Sequence, residues 1–539
     1  MSETRNQNYL HGAAILTVSV IIIKILGAIY KIPMGNILGD EGFTHFNVAY
    51  NLYNLLLTLS TAGLPVAVSK MVSEANTLGR PMQVRRIFRV ALGAFAVLGT
   101  AGTLVMLLYP TELAVFMEDV EAAQSIKAMA PSVLIVCIMS AFRGFTQGHS
   151  DMRPTSVSQV IEVAVKVAFG LALAWYLSKL GKSLPILSAA AISGVSVGSL
   201  AACLYICIKT MRGMKRTRRA LPNPDVPERS GIILKRLIKI GVPIALGSSV
   251  LSVITLVNTK LVLGRLQSAA GLSSTDALVL FGVYSKALTL YNLPAAFITP
   301  LTVSVVPAIA ANMAKKSYVE AREVAESSLR ISSIIALPMG VGLSVLCAPI
   351  MNVLYPGSAS QGPLLLSIMG IASFFVCVSL ITTSILQASG FERLPMITMV
   401  AGGVMNLILN WFLVGNPKIN IVGAPVGTLC CYVFMSVLNL VFIKTCLPKK
   451  PRLNRAFLLP AFNCAVMGFA AWLVYPAFLG LLGAGPQPDR FTTMVAMLGT
   501  IAVAALVYLI LTIATRAITL DDMKLIPKGE RIAKLLRIR

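Results

Sequence analysis

The chain has 539 residues, of which 56% are hydrophobic and only 12% charged, with a formal net charge of +25 and a mean hydropathy of +0.80. A soluble domain averages roughly 25% charged residues, so a soluble globular fold is excluded. The charges lie between apolar runs of about 20 residues or more, enough to cross a bilayer core of roughly 30 Å as helix, and the alternating strands of a membrane barrel are absent.

Fourteen spans are predicted, at 9–33, 44–69, 87–109, 128–148, 155–178, 185–208, 240–264, 277–311, 331–355, 361–388, 394–414, 420–443, 456–482 and 491–515. The first exceeds the h-region of a signal peptide, and no small-residue cleavage site follows it. The eighth holds Pro294, Pro300 and Pro307 and is expected to be bent or broken. The outer loop with Glu112, Glu118, Asp119 and Glu121 reads as a solvated segment. The inner loop 209–239 is the longest and most basic, and Pro222, Pro224 and Pro227 stiffen its middle.

Orientation follows from the basic residues. With the N-terminus inside, 34 of the 46 Lys and Arg fall in inner segments, 6 in outer loops and 6 within spans. This bias predicts cytoplasmic N- and C-termini. It also accounts for the positive charge as topology signal facing anionic inner-leaflet lipids, which removes the case for nucleic-acid binding. Residues Lys528 to Arg539 place Ile532, Leu535, Leu536 and Ile538 largely on one helical side, a basic amphipathic pattern suited to that leaflet.

The loop at 209–239 divides the chain after six spans. Pro65 to Met71 lines up with Pro307 to Met313 at an offset of 242. Gln147 and Pro154 are matched by Gln387 and Pro395, and Ser193–Gly198 loosely echoes Val422–Gly427. These echoes in one order predict two parallel six-helix repeats. The expected organisation is an all-α polytopic membrane protein of about 14 transmembrane helices. Its parts are an N-lobe at 1–231, a C-lobe at 232–450, two further helices at 451–516 and a basic cytoplasmic tail at 517–539.

The six cations inside spans are Lys24, Lys31, Arg143, Lys166, Lys260 and Lys286, and one carboxylate, Glu162, joins them. Glu162 and Lys166 are four residues apart and can pair on a helix face, which leaves five cations without an acidic partner. A Lys or Arg at the bilayer centre costs about 3 kcal/mol, so such residues usually face a cavity and serve function. A cavity lined with unpaired positive charge suits an anion. For Lys31 and Arg143 the competing reading is snorkelling or anchoring near a membrane face. The nine cysteines lie in or beside spans, the three histidines are scattered, and no P-loop, nucleophile elbow or HExxH occurs. Neither an enzyme nor a self-contained ATP-driven pump is expected, and no cofactor is called for.

The most specific stretch runs from Arg143-Gly-Phe-Thr-Gln147-Gly148 through Pro154 and Gln159 to Glu162. It is a helix end, a tight turn and a new helix opened by Pro154. With Lys24-Ile-Leu-Gly27, Leu293-Pro294, Val306-Pro307, Ser384-Ile-Leu-Gln387, Asn410 and Gly423 to Thr428, this stretch resembles the multidrug/oligosaccharidyl-lipid/polysaccharide exporter superfamily. The resemblance is to the polysaccharide-transporter branch with stage V sporulation protein B and the Gram-positive lipid II flippases. It implies fourteen helices in two lobes and a cationic cavity lined by the first, second, seventh and eighth spans. It further implies outward movement of an undecaprenyl-linked anionic sugar across a bacterial plasma membrane, with partners among cell-envelope synthesis proteins. Na+, H+ and the membrane potential stay open as the driving force. Asn292 and Asn406 depart from relatives that carry Glu and Lys at those places. A multidrug or cation antiporter of the same superfamily and a non-transporting envelope or sporulation scaffold are the competing functions.

Overall fold

A computed structural model describes residues 2–218, 225–483, 485 and 488–518. The amphipathic segment expected at Lys528–Arg539 lies outside them. Among the described residues there is no strand, and thirteen helical runs are long and apolar enough to cross a membrane. The protein is an all-α polytopic membrane protein.

The helices in chain order are α1 (Ser2–Thr61), α2 (Leu64–Thr77), α3 (Pro81–Leu108), α4 (Pro110–Phe116), α5 (Ala123–Gly148), α6 (Arg153–Lys179), α7 (Leu184–Arg218), α8 (Ser230–Ser268), α9 (Ser274–Ala314), α10 (Tyr318–Val345), α11 (Cys347–Leu354), α12 (Gly362–Ala388), α13 (Arg393–Val414), α14 (Gly423–Cys446), α15 (Leu453–Leu481) and α16 (Arg490–Ala514). The first of these runs begins at Ile29, so most of the first predicted span, 9–33, precedes it; α1 covers both that span and most of the second. The only non-helical residue within α1 is Gly39, at φ 69, ψ −167, a conformation that glycine adopts without the Cβ penalty. It falls in the gap predicted between the spans. The eighth span, expected to be bent or broken, is unbroken: α9 continues through all three prolines as one helix, as membrane helices can where neighbours re-satisfy the freed backbone groups.

The chain divides into two compact units, residues Met1–Gly264 with Ser274–Val279, and Arg265–Ser273 with Leu280–Arg539. The first unit thus extends past the lobe limit expected at 231, because most of α8 packs into it. Asn51 donates to Thr259 Oγ1 at 3.0 Å, Thr58 and Ser252 share a hydroxyl contact of 3.0 Å, and the backbone of Gly241 and Ala245 closes on Gly63. Helices α15 and α16 belong to the second unit.

In the first unit the basic segment at 209–239 is described up to Arg218 and again from Asp225. Helix α7 runs on to Arg218, since Lys, Met and Arg favour helix and no proline occurs before Pro222. Past it, the Asp225 carboxylate accepts from the backbone N–H of Met82 at 2.6 Å and Gln83 at 2.9 Å, capping α3. A Cβ on Gly148, at the end of α5, would sit 2.7 Å from Val72 Cβ and 2.9 Å from Ser69 O, so α2 lies directly against it.

In the second unit, Ile298, Val305, Leu329, Cys377, Ile381, Ile385 and Ile443 from α9, α10, α12 and α14 form one buried core. A satellite core joins Cys464, Met467 and Ala471 of α15 to Ala504 and Tyr508 of α16. At the start of α16, Arg490 donates to Val353 O at 3.0 and 2.7 Å. Asp489 caps the helix, and hydrogen bonds from the hydroxyl and the N–H of Thr492 hold its carboxyl below the ordinary carboxylate value. Stability from that cap is present above the unfolded carboxyl's pKa and is lost as pH falls through the lowered folded value.

Gly148→Val is expected to destabilise the first unit by about 1–3 kcal/mol through overpacking against α2. A lowered thermal midpoint of the purified protein in detergent checks this, with Gly93→Val, whose Cβ would meet nothing within 4 Å, as the neutral control.

Candidate substrate site

The turn between Gln147 and Pro154 is built by the end of α5 and the start of α6. Pro154 is buried in the first turn of α6, where its missing N–H leaves no helical bond unmade. This geometry brings Arg143 of α5 against the second turn of α6. Arg143 is 9% exposed; its Nη2 lies 2.9 Å from Glu162 Oε2 and its Nε donates to Ser158 Oγ at 3.2 Å. Ser199 of α7 donates to the other Glu162 oxygen at 3.3 Å.

The expected Glu162–Lys166 pair is therefore corrected. Glu162 pairs with Arg143 across the α5–α6 contact; the guanidinium also donates to Ser158, and the second carboxylate oxygen accepts from Ser199. Lys166 instead places Nζ 5.6 Å from the Tyr30 ring centroid and 5.8 Å from that of Tyr50. Lys31 Nζ lies 5.9 Å from the same Tyr50 ring. Two of the predicted cations thus approach one tyrosine ring, within the range of cation–π attraction. Tyr30 is fixed by donating to Ala191 O at 3.0 Å, and Tyr50 stacks on Phe46 with centroids 5.8 Å apart.

Lys260 of α8 lies 3.7 Å above the Phe116 ring of α4 and is half-buried. Lys24 is helical, but its side chain lies outside the described residues. Gln147 and Gln159 are half-buried beside the turn. Pro154, Arg85, His149, Asp151 and Lys209 line a cavity of about 290 Å³ at this end of the unit.

Lys286 departs from the expected cavity-facing position. It is 2% exposed, donates to Ser358 Oγ at 3.1 Å and stands 5.3 Å from the Tyr355 ring centroid. The short segment after α11 covers it, so the ammonium is solvated by the protein interior of the second unit.

Residues 9–313 match the family model described as "Polysaccharide biosynthesis protein". The chain belongs to this family. It is 25% identical over 529 residues to the stage V sporulation protein B of Bacillus subtilis (strain 168), covering 97% of this chain and 98% of the relative. It is 25% identical over 454 residues to the lipid II flippase MurJ of the same organism, covering 81% of this chain and 82% of that one. Among solved structures, a lipid II flippase MurJ in its inward closed conformation matches at a TM-score of 0.69 and 16% identity, covering 93% of this chain and 98% of that chain, a likeness of fold. The superfamily and branch that the motifs resemble are thus the ones found.

For this family member, sequence reasoning missed the aromatic partners. Tyr30 is adjacent to Lys31 and could have been noticed; Tyr50 gives no signal, because its contact with Lys166 spans two helices. It also missed His45. His45 Nδ1 lies 2.8 and 2.9 Å from the two Asp119 oxygens, and both residues are buried. The acidic segment with Glu118, Asp119 and Glu121 is therefore not wholly solvated.

Glu162→Gln leaves the Arg143 guanidinium without its counter-charge and is expected to cost up to about 3 kcal/mol. Thermal unfolding of Glu162→Gln, and of Arg143→Leu/Glu162→Leu as the double variant that removes both charges, checks it; the double variant is expected to recover most of the loss.

Proposed function

We propose that this protein is a flippase that moves an anionic undecaprenyl-linked sugar, lipid II or a polysaccharide precursor, from the inner to the outer leaflet by alternating access. The observation that carries this reading is the disposition of charge in the first unit. The one carboxylate within its spans is engaged by Arg143. Lys166 and Lys260 have aromatic faces beside them and no carboxylate within salt-bridge reach among the described residues.

An aromatic neighbour stabilises an ammonium by about 0.5–2 kcal/mol without neutralising it. The charge stays available to a diphosphate. An exporter of organic cations would instead need a free buried carboxylate, and Glu162 is occupied. The name of the lipid II flippase relative points the same way. In this reading Lys24, Lys31, Lys166 and Lys260 form the head-group set, Lys286 supports the fold of the second unit, and both termini lie on the inner side.

A lipid-linked substrate also needs a place for its hydrocarbon tail. The second unit carries an apolar groove of about 590 Å³ between α10, α15 and α16. Met339, Leu343, Met467, Ala471, Ala505 and Leu509 are among its walls. Burial there is worth about 0.8 kcal/mol per CH₂ relative to water; relative to lipid it is nearly neutral, so the groove guides the tail without trapping it.

Expressed in cells depleted of their lipid II flippase, the wild-type chain is expected to restore growth. Lys166→Ala and Lys260→Ala are expected to abolish rescue at unchanged membrane abundance, with Lys→Arg partly tolerated. Normal rescue by both alanine variants would overturn the site assignment. Ala505→Trp, which fills the groove from an exposed position of α16, is expected to slow transfer of a fluorescent polyprenyl-linked substrate in vesicles several-fold. An unchanged rate would remove the groove from the mechanism.

A further inference from the structure

The second half of α1 begins just after the break at Gly39, and its first turns carry Glu41 and His45. Thr44 Oγ1 ties this turn to Leu278 O at 2.7 Å, and Ser188 Oγ donates to Gly42 O at 2.6 Å. Opposite it, Glu118 adopts φ 62 and turns the chain so that Asp119 and Glu121 follow on a short 3₁₀ turn, Val120–Ala122.

His45 has no exposed side-chain surface. Its Nδ1 is clamped by Asp119, itself 1% exposed. Its Nε2 is buried and makes no hydrogen bond among the described residues, while a Glu121 carboxylate oxygen lies 3.3 Å away. One donor atom each from Glu41, His45 and Glu121 fall within 4.8 Å of one another.

We propose that Glu41, His45 and Glu121 form a binding site for a divalent first-row transition metal of the Zn2+ class, with Asp119 as the residue that orients His45. A carboxylate on one imidazole nitrogen fixes the tautomer and turns the other nitrogen's lone pair toward the ligand position, the arrangement found behind metal-bound histidines. Three ligands of the His and carboxylate type leave a fourth tetrahedral position for water. Bonds of about 2.0–2.2 Å to such an ion set tetrahedral ligand atoms roughly 3.4 Å apart; His45 Nε2 and the Glu121 oxygen are already 3.3 Å apart, and the other separations, within 4.8 Å, would close by adjustment of the partly exposed Glu41 and exposed Glu121 side chains. The nitrogen donor disfavours Mg2+ and Ca2+, which select oxygen ligands.

The site has a consequence for Lys260. Metal between α1 and the 3₁₀ turn would fix the segment that begins with α4, whose Phe116 covers the Lys260 ammonium. Occupancy would thus hold that cation in its present surroundings.

The test uses the full-length protein in nanodiscs, free of any polyhistidine tag, titrated with Co2+ and with Zn2+. Wild type is expected to take up about one Co2+ with the d–d bands of a four-coordinate nitrogen–oxygen site, and Zn2+ is expected to displace it and raise the thermal midpoint. Glu41→Gln and Glu121→Gln, both at positions with solvent access, are expected to keep the fold and weaken binding at least roughly tenfold. Asp119→Asn is expected to weaken it by about 10–100-fold, as for other residues behind a metal ligand. No uptake by wild type, or equal uptake by wild type and the Glu41→Gln/Glu121→Gln double variant, would overturn the proposal and leave His45–Asp119–Glu121 as an ion-pair cluster.

Discussion

A charge within hydrocarbon must find its solvation in the protein, since an uncompensated one costs several kcal/mol. The first unit answers this constraint in three ways. Arg143 and Glu162 cancel each other and borrow Ser158 and Ser199 to complete their hydrogen bonding. Lys31 and Lys166 approach the same tyrosine ring. Lys260 rests on a phenylalanine. The first device neutralises its charges within the pair, whereas the ring contacts of Lys166 and Lys260 leave the ammonium charge un-neutralised.

The second unit meets the constraint mostly with neutral groups. Thr398 donates to Asn439 Oδ1 at 2.8 Å, Asn439 donates to Thr382 Oγ1 at 3.2 Å, and Asn410 donates to Asn406 Oδ1 at 3.2 Å. The first two bonds join α12, α13 and α14 without net charge, the polar glue that membrane helices favour, and the third lies within α13. Gln387 near the end of α12 and Pro395 near the start of α13 repeat the helix-end and proline-start construction of Gln147 and Pro154. The same turn chemistry therefore closes on an ion pair in one unit and on an amide network in the other. Lys286, the charge of α9 expected at membrane depth, is buried against Ser358 and Tyr355.

The buried His45–Asp119 contact shows the same constraint just after the break in α1. An acidic loop that could have been solvated sends one carboxylate inward to meet an imidazole. Two neighbouring carboxylates, of Glu41 and Glu121, then face the free side of the ring.

The sequence by itself determined the class of fold, the positions of nearly all spans and the break near Gly39. Bilayer thickness sets span length, and apolar runs, loop lysines and glycine each act locally along the chain. The family motif was equally legible, because a helix end, a turn and a proline start are neighbours in sequence. Partner choice was decided by tertiary structure alone. Lys166 is four residues from Glu162, yet Arg143, 19 residues away, holds the carboxylate; His45 and Asp119 are 74 residues apart. Spacing on one helix limits which side chains could meet. Which of them do meet depends on how neighbouring helices pack, and on which geometry satisfies the most hydrogen bonds once water is excluded.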